Sequence, residues 1–144
     1  MNDLFEMWYE DWKKGKQPYI RQFENYIKIL AGFWPDSCEQ YGVCGIQNVV
    51  EADGSVYPCD FYVLDDFCLG NVNESNYVRM QQRRKEIGFV ERSMNSSAEC
   101  SECRWFFLCK DGCYRSREEG KNYFCKAYRM FFEKNYERLL EIVE

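Results

Sequence analysis

The segment CSECRWFFLCKDGC, residues 100–113, carries four of the chain's nine cysteines and decides how the chain can fold. Two residues separate Cys100 from Cys103, five separate Cys103 from Cys109, and three separate Cys109 from Cys113. The close pair supplies two thiolates from one loop, and a metal cluster needs four thiolates that converge on one small inorganic core. We therefore expect a compact ligand loop here, with at most a short turn of helix.

The other cysteines are spread along the chain. They are Cys38, Cys44, Cys59, Cys68 and Cys125. Nine is an odd number, and disulfides do not persist in a reducing compartment, so complete pairing explains the cysteines poorly. The chain has no histidine, which excludes histidine-ligated zinc or haem, a Ser-His-Asp triad and a Cys-His nucleophile pair within it. We interpret the cysteines as thiolate ligands.

Charge and hydropathy limit the classes of partner. The net charge is −5 and the pI is about 5.0, whereas a nucleic-acid-binding domain usually carries a basic stripe. No apolar run is long enough to cross a membrane, and the acidic first residues lack the apolar core of a signal peptide. We expect a cytoplasmic protein with no nucleic-acid or membrane partner.

Local patterns predict an α+β fold. Two β-prone runs, 46–51 and 56–61, flank Asp53-Gly54, a pair that favours a hairpin turn because glycine adopts positive φ without steric cost. Apolar residues at helical spacing predict helices near 3–14, 18–31, 73–86 and 122–143. The expected architecture is a small cysteine-rich domain with one β-hairpin, several helices and long cluster-binding loops.

Zinc is the main alternative to an iron–sulfur cluster. Eight cysteines could form two four-thiolate zinc sites, but such sites usually combine two C-x2-C pairs. This chain has one such pair, Cys100 and Cys103. The spacing favours clusters and leaves zinc open.

The complete spacing resembles a known domain. The spacing is similar to that of the SPASM domain, the auxiliary-cluster domain of many radical-SAM peptide-modifying enzymes. It runs C-x9-G-x4-C, then C-x2-C-x5-C-x3-C, then a distant cysteine. The runs VVEADGSVYPCDFY (49–62), LGN (69–71) and CRWFFLC (103–109) resemble the anaerobic sulfatase-maturating enzymes. The resemblance implies that 1–35 is a helical segment joining to a radical-SAM barrel and that 36–144 is a SPASM-like two-cluster domain.

The resemblance also implies two 4Fe-4S clusters, each held by four cysteines. The first set is Cys38, Cys44, Cys59 and Cys113. The second set is Cys100, Cys103, Cys109 and Cys125. Cys68 has no counterpart and is expected to be a small hydrophobe or a stray thiol.

One non-cysteine residue stands out in the same comparison. Asp60 matches an aspartate that is implicated in the family as the base taking the substrate proton. The alternative is a turn residue whose carboxylate bonds nearby backbone.

A radical-SAM motif is missing from this chain. The motif is C-x3-C-x2-C, and Cys109-x3-Cys113 begins it, but Ser116 occupies the third position. The chain is therefore not expected to be catalytic alone. The implied parent enzyme would oxidise a sulfatase cysteine or serine to formylglycine, with S-adenosylmethionine and a third cluster in a barrel that this chain has no room for. The expected role here is electron transfer and part of the substrate-site wall. The expected partners are the barrel, covalent or in trans, a sulfatase-type peptide and a flavodoxin or ferredoxin electron carrier.

Two other interpretations remain open. One is a free-standing iron–sulfur module for electron transfer or peptide binding, and the other is a structural domain with two zinc sites. A domain that packs on a barrel should expose an apolar patch. The candidates are Leu4, Phe5, Trp8, Tyr9 and Trp12.

Overall fold

The computed structural model describes residues 1–16 and 18–143, which form eight helices and five short strands. The helices are α1 (Asn2–Lys13), α2 (Arg21–Leu30), α3 (Cys38–Tyr41), α4 (Tyr77–Ile87), α5 (Phe89–Ser93), α6 (Ala98–Ser101), α7 (Phe106–Cys109) and α8 (Cys125–Val143). The strands are β1 (Val49–Val50), β2 (Ser55–Tyr57), β3 (Gly70–Asn71), β4 (Arg117–Glu118) and β5 (Lys121–Asn122). The α+β class is confirmed.

The chain divides into two compact units. The first combines residues 1–42 with the segment from Ser96 onward, and the second is Val43–Asn95. The boundary between residues 35 and 36, which separates the expected helical joining segment from the SPASM-like domain, stays a prediction.

The core of the first unit is a cluster of aromatic rings from α1, α2 and α8. The Phe5 ring lies 5.0 Å from that of Phe23 and 5.3 Å from that of Phe131, in edge-on contacts. Such pairs stabilise a core beyond simple area burial. The helices form because their apolar residues recur at three- and four-residue spacing, which places them on one face.

This packing corrects the expected apolar patch. Phe5, Trp8 and Tyr9 are buried and Trp12 is partly buried, because α8 packs across this face of α1. Leu4 alone of the five stays half exposed. Among the aromatic side chains of this unit that are exposed instead are Phe33, Trp34 and Tyr41.

The second unit is built on a three-stranded antiparallel sheet in the order β1-β2-β3. The predicted hairpin is confirmed, with Val49 opposite Tyr57 and Val50 opposite Val56, although its strands are shorter than predicted. Gly54 has φ +88°, and a Cβ there would lie 2.8 Å from the side chains of Asn71 and Asn73. The positive φ favours glycine in this turn, and a larger residue would also have to displace these two asparagine side chains.

Helix α4 is held by a cap at each end. The Asn76 side chain accepts a hydrogen bond from the Arg79 N–H, and Gly88 ends the helix in the left-handed conformation at φ +67°. The asparagine cap satisfies an N–H group that has no partner within the helix, and the glycine lets the chain turn away at the other end. Within the described residues, no helix is both long enough and apolar enough to span a lipid bilayer.

Candidate metal centres

Four predicted ligands surround one cavity in the first unit. Cys100 lies in α6, Cys103 just after it, Cys109 at the end of α7, and Cys125 at the start of α8. The same cavity is walled on its apolar side by Trp105, Phe106, Tyr128 and Phe132. The four cysteines are the second set that the resemblance implied, and the structure brings all four around one cavity.

Burial controls the protonation of these thiols. It raises the pKa of Cys109 to about 12, and it raises that of Cys100 as well. A metal must displace the thiol protons, so binding at this site releases protons and strengthens as pH rises.

Two hydrogen-bond donors point at the sulfur atoms of this cavity. The backbone N–H of Asp111 donates to Cys109 Sγ at 3.3 Å, and the Ser97 hydroxyl donates to Cys100 Sγ at 3.4 Å. Donors of this kind favour the thiolate and tune the potential of an iron–sulfur centre. Within 1–16 and 18–143, no three His, Cys, Asp or Glu side chains are close enough together to hold a single metal ion. The four cysteines are instead spaced around a cavity, and with an apolar wall and donors directed at sulfur they fit a larger iron–sulfur cluster.

The turn between Cys109 and Cys113 has an unusual backbone. Lys110, Asp111 and Gly112 have φ values of +47°, +63° and +58°, so three successive residues are left-handed. Residues other than glycine adopt this conformation at a cost. Their surroundings must hold them there, and no pattern in the sequence indicates which residues do so.

Arg117 holds this turn in place, and it was not predicted from the sequence. Its guanidinium donates to the carbonyl oxygens of Lys110 at 3.3 Å, Asp111 at 3.1 Å and Gly112 at 3.0 Å. It also forms an ion pair with the Asp111 carboxylate at 3.2 Å. Arginine suits this position because its rigid fork carries five donors.

The first predicted ligand set has two members in the first unit. Cys38 begins α3, which packs beside α7, and Cys113 follows the left-handed turn. Desolvation raises the pKa of the Cys38 thiol, and the nearby Cys113 sulfur adds to the rise.

The other two members lie in the second unit. Cys44 precedes the hairpin, and its backbone N–H donates to Ser93 Oγ at 2.9 Å. Cys59 follows β2, and burial raises its thiol pKa to about 11, with smaller contributions from Asp60 and Cys44. Both cysteines thus flank the hairpin, one on each side.

Asp60 and Cys68 have contrasting surroundings in this unit. Asp60 is exposed at the start of a 3-10 turn, and its carboxylate accepts a hydrogen bond from the Cys59 thiol at 3.2 Å. Cys68 is half-buried, and its thiol faces the Gly70 carbonyl oxygen at 3.7 Å. Asp60 is thus available to a second molecule, while Cys68 has a local backbone partner.

Comparison with known proteins connects this geometry to a family. A family model for an iron–sulfur cluster-binding domain, SPASM, matches residues 38–104. The chain is 37% identical over 150 residues to a cysteine-type anaerobic sulfatase-maturating enzyme of Clostridium novyi, with 100% of the chain and 40% of that protein covered. It is 30% identical over 136 residues to a serine-type anaerobic sulfatase-maturating enzyme of Bacteroides thetaiotaomicron, covering 87% of the chain and 33% of that protein.

Solved structures give the same result. The fold matches histidine-tagged anSMEcpe with bound AdoMet, with a TM-score of 0.90 and 42% identity, over 99% of the chain and 39% of that chain. It also matches native anSMEcpe with bound AdoMet and Kp18Cys peptide, with a TM-score of 0.90 and 40% identity, over 99% of the chain and 41% of that chain. The chain therefore spans about two fifths of the length of these matched proteins.

Proposed function

Because this chain carries a SPASM iron–sulfur cluster-binding domain and is similar along its whole length to anaerobic sulfatase-maturating enzymes, we propose that it is the auxiliary-cluster region of a radical-SAM enzyme. That enzyme oxidises a sulfatase cysteine or serine to formylglycine. The observation that carries the proposal is the cavity lined by Cys100, Cys103, Cys109 and Cys125.

Two 4Fe-4S clusters are proposed, with the ligands assigned by resemblance. Cys38, Cys44, Cys59 and Cys113 hold the first. Cys100, Cys103, Cys109 and Cys125 hold the second. When bound, such clusters supply one-electron transfer at a potential set by burial and by hydrogen bonds to sulfur. The chain's own part is to hold the thiolates, exclude water with its aromatic wall and direct N–H and O–H donors at sulfur.

Asp60 is proposed as the base that accepts the substrate proton. It is exposed, so a peptide can reach it, and its carboxylate already accepts a hydrogen bond from its neighbour Cys59. A general base must lie within hydrogen-bond reach of the proton that it takes. Binding of Cys59 to a metal removes that thiol proton and leaves the carboxylate free to accept another.

The remaining partners follow from the same proposal. A radical-SAM barrel, in the same chain or in trans, would hold S-adenosylmethionine and a third cluster, and would present a sulfatase-type peptide. A flavodoxin or ferredoxin would exchange electrons in the cytoplasm. The exposed aromatic surface supports a partner domain, because the Trp34 ring is 78% exposed and stacks on Tyr41 at 5.2 Å. Large exposed apolar groups of this kind are typical of interaction surfaces.

The deciding experiment measures iron, sulfide and zinc in protein reconstituted without oxygen. Two four-iron clusters predict about eight iron and eight sulfide per chain. Replacing Cys113→Ala should roughly halve the iron by removing one ligand of the first set, and Cys68→Ala should leave it unchanged as the matched control. About two zinc with no sulfide would instead establish a structural zinc domain.

A further inference from the structure

A buried ion pair lies beside the cavity lined by the second set of cysteines, and neither of its residues is among the proposed ligands. The side chains of Asp111 and Arg117 are 1% and 3% exposed, and 3.2 Å separates Asp111 Oδ2 from Arg117 Nε. Charged groups are rarely buried this completely unless they are paired and hydrogen-bonded. Asp111 also lies in the wall of the four-cysteine cavity.

Arg117 holds the ligand turn in shape. Its three bonds to the carbonyl oxygens of residues 110–112 compensate for the left-handed backbone there. That turn carries Cys109 at one end and Cys113 at the other. A change in Arg117 therefore acts on both sulfurs through the backbone.

Asp111 holds the opposite side of the turn. Its Oδ1 accepts the backbone N–H of Asn122 at 2.9 Å, and its carbonyl oxygen accepts from the Asn122 side chain at 3.1 Å. Asn122 ends β5, three residues before Cys125. Asp111 thus connects two segments that each deliver a ligand to the cavity.

Asp111 also lies beside the sulfur atoms. It lines the cavity that the four cysteines share, and its backbone N–H donates to Cys109 Sγ at 3.3 Å. A fixed charge beside an iron–sulfur centre changes its potential.

We propose that Asp111 and Arg117 are positioning residues of the second cluster site and that their opposite charges set the reduction potential of the cluster held there. The inference rests on the proposed function, because it requires a cluster in that cavity. Reduction adds negative charge, so an extra negative neighbour lowers the potential and an extra positive neighbour raises it.

The test is a redox titration, followed by electron paramagnetic resonance, of the full chain reconstituted without oxygen. Asp111→Asn keeps the side-chain shape but removes the negative charge of the pair, so one of the two midpoint potentials should rise. Arg117→Gln removes the positive charge of the pair, so the same potential should fall. The potential of the double variant should return close to that of the unaltered protein, because the summed charge of the two positions is again zero.

Two controls separate charge from structure. Arg117→Lys keeps the charge but cannot serve three carbonyl oxygens with one rigid fork. It should melt at a lower temperature with an unchanged potential. Glu6→Gln breaks an ion pair with Arg138, thirteen residues along α8 from Cys125, and should change neither potential.

The outcomes are distinct. The inference would be overturned if the variants hold full iron and sulfide but their midpoint potentials shift in the same direction or do not shift. Either result would leave the proposed function intact. Absence of iron and sulfide from the unaltered protein would overturn the proposed function itself. If Arg117→Gln fails to fold, Asp111→Asn decides alone: a raised potential supports the inference and an unchanged one refutes it.

Discussion

At the scale of single residues, the turn between Cys109 and Cys113 depends on Gly112 as much as on the charged residues Asp111 and Arg117. Its φ is +58°, and a Cβ at this position would lie 2.3 Å from Asn122 Nδ2. The Asn122 side chain donates to the Asp111 carbonyl oxygen, so a Cβ here would displace that side chain and break this hydrogen bond between the segments that carry Cys109 and Cys125.

We expect Gly112→Ala to lower both the stability and the iron content of the chain. The left-handed φ costs about 1 kcal/mol, and displacement of Asn122 breaks buried hydrogen bonds worth about 1 kcal/mol each. Gly15→Ala is the matched control, because Gly15 has φ +72° and nothing within 4 Å of an added Cβ. Urea unfolding with iron analysis should show iron loss in Gly112→Ala alone, and equal iron in both variants would contradict the packing argument.

The four cysteines that line the cavity could be named from the sequence, but the residues that support their turn could not. The resemblance to a known domain grouped those four cysteines, and their role as ligands stays a prediction. Asp111 resembles an ordinary turn residue beside glycine, and Arg117 lies in a polar run. Their pairing follows from the left-handed turn, which no local pattern encodes.

At the scale of elements, α8 is the helix on which the first unit is assembled. The Phe131 ring stacks on Phe23 at 5.8 Å and meets Phe5 edge-on, while Met130, the preceding residue, is 53% exposed. One turn on, the Asn135 side chain is fully buried and donates to Asn2 Oδ1 at 2.8 Å and to the Phe131 carbonyl oxygen at 3.0 Å.

Truncating the buried ring should cost far more than truncating its exposed neighbour. Phe131→Ala removes a side chain that α1 and α2 enclose, and we expect a loss of about 3–5 kcal/mol. Met130→Ala should stay within about 0.5 kcal/mol, since surface changes rarely exceed that. Denaturation of the reconstituted protein, monitored by circular dichroism, compares them, and similar midpoints would show that α8 does not carry this core.

Element lengths explain which parts of the fold the sequence could predict. Helices α1, α2, α4 and α8 are long enough for their apolar spacing to be recognised. Strands β3, β4 and β5 have two residues each, too few to show any alternation. Asn135 in α8 is a buried hydrogen-bonding position, which hydropathy alone cannot distinguish from an exposed one.

At the scale of the whole molecule, the segment richest in cysteine has little regular structure. Between residues 96 and 124 the described helices are single turns, α6 and α7, and the strands are the two-residue pair β4 and β5. A segment with so little regular hydrogen bonding needs another source of order. Bound metal supplies such order, because ligand binding energy is also folding energy.

Removing the clusters should therefore loosen this segment selectively. We expect amide hydrogen exchange after chelation to accelerate strongly across 96–124, while the centres of α2 and α8 stay protected by their aromatic core. Mass spectrometry of peptic fragments before and after chelation reports the two regions together. Uniform acceleration would mean that the clusters stabilise the whole first unit, and no change would mean that they stabilise none of it.

The discontinuity of the first unit imposes an order on its assembly during translation. Helices α1 and α2 leave the ribosome more than ninety residues before α8 begins, an interval of about 5–20 s at ordinary elongation rates. Throughout that interval the rings of Phe5, Trp8 and Phe23 lack the helix that covers them, and the second ligand set lacks Cys125. The nascent chain thus exposes its aromatic core before its second ligand set is complete.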